Sequence, residues 1–376
     1  SYAGGRDGLD PAFLLSQGFP ETWRDYELPV LDAAFLNGQW GPIYRPKDGN
    51  RLPYAQQWNL SIERQLTQDL TITTSYVGTK GTRLISRIAP INALDPALLK
   101  TYGGQLYDNF EPGAASLHGV PLPYEGWVEQ MTGCSPSLAQ ALLPFPQYCG
   151  PLQGVNENAG NSTYHSFQLK VEKRFGAGLW MLVSYTASKM LTDTETNQPD
   201  ELSWNGSGSG TISPFERHRN KALSTGDIPQ VFTASLVYDL PFGRGKRWAN
   251  SSKALDYLVG GWRISSITRL HSGAPFHVNS WYCNVPGQFR VGCYPGQIQG
   301  ANPWAQDKSS FEPSQQLLSS SAFEPYSSFD DLTYYGVGPR VTNLRAFGYR
   351  NQDFTLAKTF RITEKVSLQL RGDAFN

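Results

Sequence analysis

Four cysteines are the residues of this 376-residue chain whose spacing most directly implies a bond. They fall into two local pairs, Cys134 with Cys149 and Cys283 with Cys293, and both pairs sit in long stretches without strand periodicity. An even count, close spacing and an exported setting favour two local disulfides, with pairing across the two loops as the alternative. A closed loop of about 15 residues would add roughly 3 kcal/mol in the chain-entropy model. No Cys-x-x-Cys or histidine spacing supports a metal. The five histidines (118, 165, 218, 271 and 277) are scattered, without an acidic or nucleophilic partner at a recognisable spacing. No Gly-x-Ser-x-Gly, His-Glu-x-x-His or phosphate-loop pattern occurs. The residues therefore point to neither catalysis nor a cofactor.

What remains is recognition chemistry. Residues 243–247 superficially resemble a basic phosphate-binding loop, but they sit where a turn between strands with solvated charge is expected. Residues 217–221 form a second basic cluster, either a solvated loop face or a contact for lipopolysaccharide phosphates. Acidic residues at 193, 195, 200, 201, 330 and 331 lack the spacing of a calcium loop. Loop aromatics are numerous: Trp127, Trp204, Trp281, Tyr282, Trp304, Tyr334 and Tyr335. Their faces can stack on a ligand, or they can build the small cores that long loops need.

The elements that position these groups are strands. Residues 56–66 put Trp58, Leu60 and Ile62 on one face and Gln57, Asn59, Ser61 and Glu63 on the other. Residues 70–77 answer in the same rhythm after a tight turn, which makes a hairpin. Similar pairs occur at 165–175 with 179–188, at 230–240 with 261–270, and at 353–360 with 366–376. The expected fold is all-β: about eight antiparallel strands in four hairpins, each strand roughly 8–11 residues, the length a tilted strand needs to cross a bilayer. Connections within hairpins are mostly short. Those between hairpins, at 84–163, 189–229 and 271–351, are long. Short turns at one end and long loops at the other is the topology of an up-and-down transmembrane β-barrel. A soluble sandwich shares the alternation but keeps its connections short. Strict alternation would turn Phe167, Leu169, Val171, Leu368 and Leu370 to lipid, and Gln168, Lys170, Gln369 and Arg371 to a wet lumen. Trp58, Tyr185, Tyr238 and Trp262 then read as a girdle at the bilayer interfaces.

Composition agrees. Lys plus Arg and Asp plus Glu are both 32, so no cationic excess is present to neutralise nucleic-acid phosphates. Charged residues are 17% and aromatics 13%, which argues against disorder and against a helical bundle. No run of about 18 apolar residues exists to form a membrane-spanning helix. Ser1 to Asp10 carry neither the basic start nor the apolar core of a signal peptide. The chain thus reads as a lead-in over 1–55 and a partial barrel over 56–376 whose signal was removed or which is an excised piece.

Several segments together resemble a known family: residues 57–64, 75–84, 161–169, 183–189, 238–246, 260–264, 272–276 and 371–376, in that order. They include Ser75-Tyr76-Val77-Gly78-Thr79-Lys80-Gly81, Tyr238-Asp239-Leu240-Pro241-Phe242-Gly243 and the closing Arg371-Gly372-Asp373-Ala374-Phe375-Asn376. They are similar to the C-terminal barrel of Oar-like TonB-dependent outer-membrane receptors, which carry a carboxypeptidase-regulatory-like domain and a plug. The resemblance implies a place in the cell outer membrane of a Gram-negative bacterium and transport of a bulky extracellular ligand. Its implied partners are outer-membrane lipid, lipopolysaccharide and, through a plug outside this chain, the TonB system. A secreted or surface adhesive β protein is the competing function. No plug and no TonB-interaction segment is visible here, and strand motifs name no ligand.

Overall fold

The computed structural model describes residues 33–44, 51–86, 90–152, 157–176, 178–194, 212–249, 253–278, 285–324 and 338–376, with residues 14, 16, 46, 49, 88 and 154 singly. Eleven strands occur among them. The hairpins are built from β1 (Tyr54–Thr67) and β2 (Leu70–Ser86), from β5 (Glu157–Gly176) and β6 (Leu179–Thr192), from β8 (Gln230–Asp239) and β9 (Trp262–His271), and from β10 (Tyr349–Arg361) and β11 (Ser367–Ala374). The small strands are β3 (Ser116–Leu117), β4 (Val120–Pro121) and β7 (Ala222–Leu223). Among the described residues there are also four short α-helices, α1 (Ala97–Tyr102), α2 (Trp127–Gln130), α3 (Leu138–Ala141) and α4 (Lys253–Val259), besides short 3-10 turns.

One antiparallel sheet holds all the long strands in the order β1-β2-β5-β6-β8-β9-β10-β11, with β7 added to β6. Every neighbour along that order is the next long strand in sequence, which is an up-and-down meander. Among the described residues β1 and β11 form the two edges and do not pair with each other, so the sheet is open.

The pairing registers sort the side chains. Trp58 lies opposite Gly78, which lies opposite His165. Leu60, Tyr76, Phe167 and Ala187 form the next row, and Ile62, Thr74, Leu169, Tyr185 and Phe232 the one after. The same face continues through Leu270, Ile264, Leu356, Leu370 and Leu368. The opposite face carries Glu63, Thr73, Lys170, Ser184, Thr233, Arg269 and Asn351 in one row, with Gln168, Gln369 and Arg371 in others. One face is mainly apolar and the other mainly polar, because paired residues always share a face, although Arg350, Gln352 and Lys358 fall on the first and Trp180, Leu182 and Ile267 on the second. On the apolar face Leu60, Ile62 and Leu370 remain more than half exposed.

Two details depart from the sequence reading. Strands β2, β5 and β6 run several residues further toward the long loops than 70–77, 165–175 and 179–188. Those extensions stay paired, with register shifts in β2 between Thr82 and Leu84 and between Leu84 and Ser86, but are rich in Thr, Lys, Gly and Asn, so the apolar rhythm fades while the hydrogen-bond ladder continues. Tyr185 lies in the middle of β6, away from the strand ends where Tyr238 and Trp262 sit. It belongs to the mid-sheet apolar band and not to a girdle.

The buried core lies in the loops. One cluster joins Leu94, Leu99, Leu106, Ala139 and Leu143 of the β2–β5 loop to Val285 and Phe289 of the β9–β10 loop. A second gathers Phe110, Trp127, Met131, Leu138 and Cys149. A third joins Ala222 and Leu223 of the β6–β8 loop to Val341 of the β9–β10 loop. The long loops therefore share cores and form one cap, where separate small cores would have been the simpler expectation. Each fully buried Leu or Phe contributes about 1.5–3 kcal/mol to that association. Residues 33–44 add to the cap, because Gly38 donates its N–H to the Gln147 carbonyl and the Cys149 and Gly150 N–H groups donate to Gln39 and Trp40.

Candidate functional site

The cap and the polar sheet face are the surfaces that a ligand would meet, and the cap is organised around buried polar side chains. Asn92 is fully buried. Its amide donates to the carbonyls of Tyr148 and Gly150 at 3.0 and 2.9 Å, and its oxygen accepts from the Phe145 N–H at 3.0 Å. Gln140, equally buried, donates to the Pro146 and Tyr148 carbonyls at 3.0 and 2.9 Å. The Trp127 indole N–H reaches Pro146 at 3.0 Å. Together they fix residues 145–150, which have no regular structure to satisfy their own carbonyls. The same segment is closed by a disulfide between Cys134 and Cys149, with Cα atoms 5.8 Å apart.

Three arginines then join the loops. Arg290 donates to the Cys149 carbonyl at 2.5 Å and to the Asn92 carbonyl at 3.4 Å. Its burial pushes the guanidinium down to about 10. Arg340 donates to the carbonyls of Thr192 and Asn220, at 3.0 and 3.3 Å. Arg345 binds Asp227 through both the backbone carbonyl and the carboxylate at 2.6 Å, and that carboxylate also accepts from the Met190 N–H. Guanidinium suits this work because its planar fork serves several oxygens at once. None of these residues belongs to a motif, and a lone arginine or amide inside a loop carries no periodic signal.

The residues singled out by type are distributed differently. Trp127 has no exposed surface and packs edge-on against Phe110 at 5.6 Å, which takes it off the candidate ligand surface and into the cap core. Trp304 is half-buried beside a groove of about 540 Å³ that it lines with Asn302, Ala305, Gln306, Asp307 and Lys308. The Lys308 ammonium sits 3.8 Å from the Trp304 ring centroid, so one ring face is already occupied by a cation. Lys308 is also bonded to the Arg345 carbonyl, and burial lowers its pKa below the ordinary lysine value. The N–H and hydroxyl of Ser309 hold the Asp307 carboxylate below the usual aspartate range. Trp204, Trp281, Tyr282, Tyr334, Tyr335 and Cys283 lie outside the described residues. Cys293 is buried in the cap.

Four of the five histidines make local structural contacts. His118 bonds Asp108 at 2.6 Å, His165 bonds the Tyr76 hydroxyl at 2.7 Å, His271 stacks on Tyr349, and His277 meets the Arg340 carbonyl at 3.1 Å. Among the described residues no group of three His, Cys, Asp or Glu side chains could hold a metal.

The polar sheet face is laced with charge pairs. Glu172 lies between Lys170 at 3.1 Å and Arg174 at 3.4 Å, Asp239 meets Arg263 at 2.6 Å, and Asp373 meets Arg371 at 2.8 Å. At the short-turn end, Asp69 joins β1–β2 to β5 through Lys173 at 2.6 Å. That bond, with one from Thr67, holds its carboxyl below the usual aspartate range.

No curated protein matches the sequence. Among solved structures, the outer-membrane transporter YddB from Escherichia coli is similar with a TM-score of 0.35 and 10% identity, over 88% of this chain and 29% of that one. The pyoverdine outer-membrane receptor FpvA from Pseudomonas aeruginosa, bound to pyoverdine, is similar with a TM-score of 0.34 and 9% identity, over 87% of this chain and 26% of that one. The chain thus spans about a quarter of the length of these receptors. A family model described as an outer membrane beta barrel domain matches residues 1–376. With a meander of long strands, one apolar and one polar face, and tight turns opposite a large cap, the chain belongs to the outer-membrane β-barrel domain family and lies in the outer membrane of a Gram-negative bacterium.

Proposed function

We propose that this chain supplies a stretch of barrel wall and the external cap of an Oar-like TonB-dependent receptor, which binds a bulky extracellular ligand and transports it. The observation that carries this reading is the fused cap over a polar, charge-laced sheet face. A small barrel needs neither, because its interior is filled by its own side chains. In this reading the polar face lines a wet lumen, and the exposed cap surface gathers ligand. The Trp304 groove and residues Trp204, Trp281, Tyr282, Tyr334 and Tyr335 are its candidate contacts, and Cys283 bridges Cys293. Energy comes from the TonB system through a plug outside this chain. The wall and cap hold and pass the ligand without changing it chemically.

The test is depletion of spent growth medium by cells with and without the intact protein, followed by mass spectrometry. Transport predicts that at least one component disappears only when the protein is present. A protonophore or loss of TonB should abolish its disappearance. Equal profiles in all arms would remove the transport reading, and depletion insensitive to the protonophore would replace it with passive passage.

A further inference from the structure

At the short-turn end, the connection between β8 and β9 is the longest one, and it is folded. Phe242 and Trp248 pack at 5.6 Å, and Arg247 lies over the Trp248 ring at 5.3 Å. The turn is locked to α4 by the Arg244 N–H donating to Asp256 at 2.8 Å. Gly243 permits this contact, since a Cβ there would collide with the Asp256 carboxylate and come within 2.6 Å of the Gly260 backbone. Asp256 thus faces protein. Leu255 and Leu258, three residues apart on the helix, point outward and are 40% and 72% exposed. Tyr257 and Trp248 are half exposed beside them.

The side of the sheet on which α4 sits is fixed by its hydrogen bonds. The Trp262 indole N–H donates to the Leu258 carbonyl at 3.2 Å. The Lys358 ammonium donates to the same carbonyl at 3.3 Å and also to that of Gly260. Trp262 and Lys358 are register partners, and Lys358 in turn pairs with Leu370, so both stand on the apolar face. The C-terminal end of α4 therefore folds over the lipid side of the wall, beside Phe360. Lys358 is only 5% exposed there. A lysine on a lipid-facing strand is costly without polar partners, and the carbonyls at the end of α4 supply them.

We propose that α4 with the preceding turn is an in-plane foot that inserts Leu255, Leu258 and Trp248 into the periplasmic leaflet of phospholipid. Short turns mark the periplasmic end of such barrels, and Trp and Tyr belong at membrane interfaces. Exposed leucines on a soluble surface would suit a partner protein equally. Here the helix that carries them is tied through the Leu258 carbonyl to Trp262 and Lys358 of the apolar face, where Lys358 lies over Phe360 and Phe360 pairs with Leu368, and Arg244 and Arg247 in the preceding turn are cationic groups suited to phosphate headgroups. The inference rests on the face assignment and not on the transport reading, so either can fail alone.

The experiment is spin labelling of the intact protein in phosphatidylethanolamine–phosphatidylglycerol vesicles, with labels at Leu258→Cys, Leu255→Cys, Leu169→Cys and Arg244→Cys. Collision with oxygen reports lipid, and collision with a water-soluble nickel chelate reports water. The foot predicts that labels at 258 and 255 favour oxygen, as at 169, while 244 favours nickel. Nickel access at 258 and 255 with oxygen access at 169 would overturn it. Shielding of 258 and 255 from both reagents would show a protein cover and overturn it as well. Nickel access at 169 would overturn the face assignment and the foot together.

Discussion

Arg290 has no carboxylate partner among its hydrogen bonds to the Asn92 and Cys149 carbonyls, so its buried charge is met by backbone dipoles. Arg290→Met is expected to leave those carbonyls unsatisfied and to weaken the cap by about 2–3 kcal/mol. Hydrogen exchange should rise at residues 92 and 145–150 and stay unchanged in the strands. The folded guanidinium, at about 10, lies below its ordinary value, so burial opposes its charge. The penalty is complete below about pH 10, and cap stability gains as pH rises above about 10, because the folded form loses its proton first. Arg290→Met should abolish that alkaline gain. The Cys134–Cys149 bridge acts on the same segment with a sequence separation of 15. Cys134→Ser with Cys149→Ser is expected to cost about 3 kcal/mol of cap stability, read by thermal proteolysis of the loops with the barrel intact.

Strands respond to a different rule, set by which face a residue occupies. Leu169→Arg, in the middle of β5 on the apolar face, should cost about 2–4 kcal/mol, whereas Gln168→Arg on the polar face should cost little. Urea unfolding from lipid vesicles measures both, and equal effects would contradict the face assignment. This level of the structure was the most legible in the sequence. Residues such as Phe167, Leu169 and Val171 alternate with Gln168 and Lys170, and alternation translates directly into faces. Strand ends were harder to see, because Thr163 and Asn161 keep the ladder without the apolar rhythm. The cap was hidden for a related reason. Its order comes from single side chains, Asn92, Gln140 and Arg290, acting on backbone far away in sequence, and such pairings leave no local pattern. Helix α4 was hidden by its shortness and by the basic turn before it, which looked like ordinary solvated charge.

At the scale of the molecule, the open edges of β1 and β11 matter most. Unpaired backbone is not tolerated in hydrocarbon, so each edge is expected to pair in the membrane, either with the other or with a further strand. An eight-strand barrel closed by β1 on β11 has an interior just wide enough for side chains, and the charge pairs of the polar face would crowd it. Cysteine pairs placed at 59, 61 or 63 with 367, 369 or 371 are therefore expected to give no β1–β11 cross-link in native membranes; an efficient one would show the small closed barrel. The fused cap has a further consequence, for immune recognition. Its outward surface is assembled from residues 33–44 and from three loops far apart in sequence, locked by Arg290, Arg340 and Arg345. Antibodies raised against intact cells should bind composite epitopes: peptides copied from any single loop would fail to compete for them, and reduction of the Cys134–Cys149 bond would abolish the binding of those that span residues 134–150.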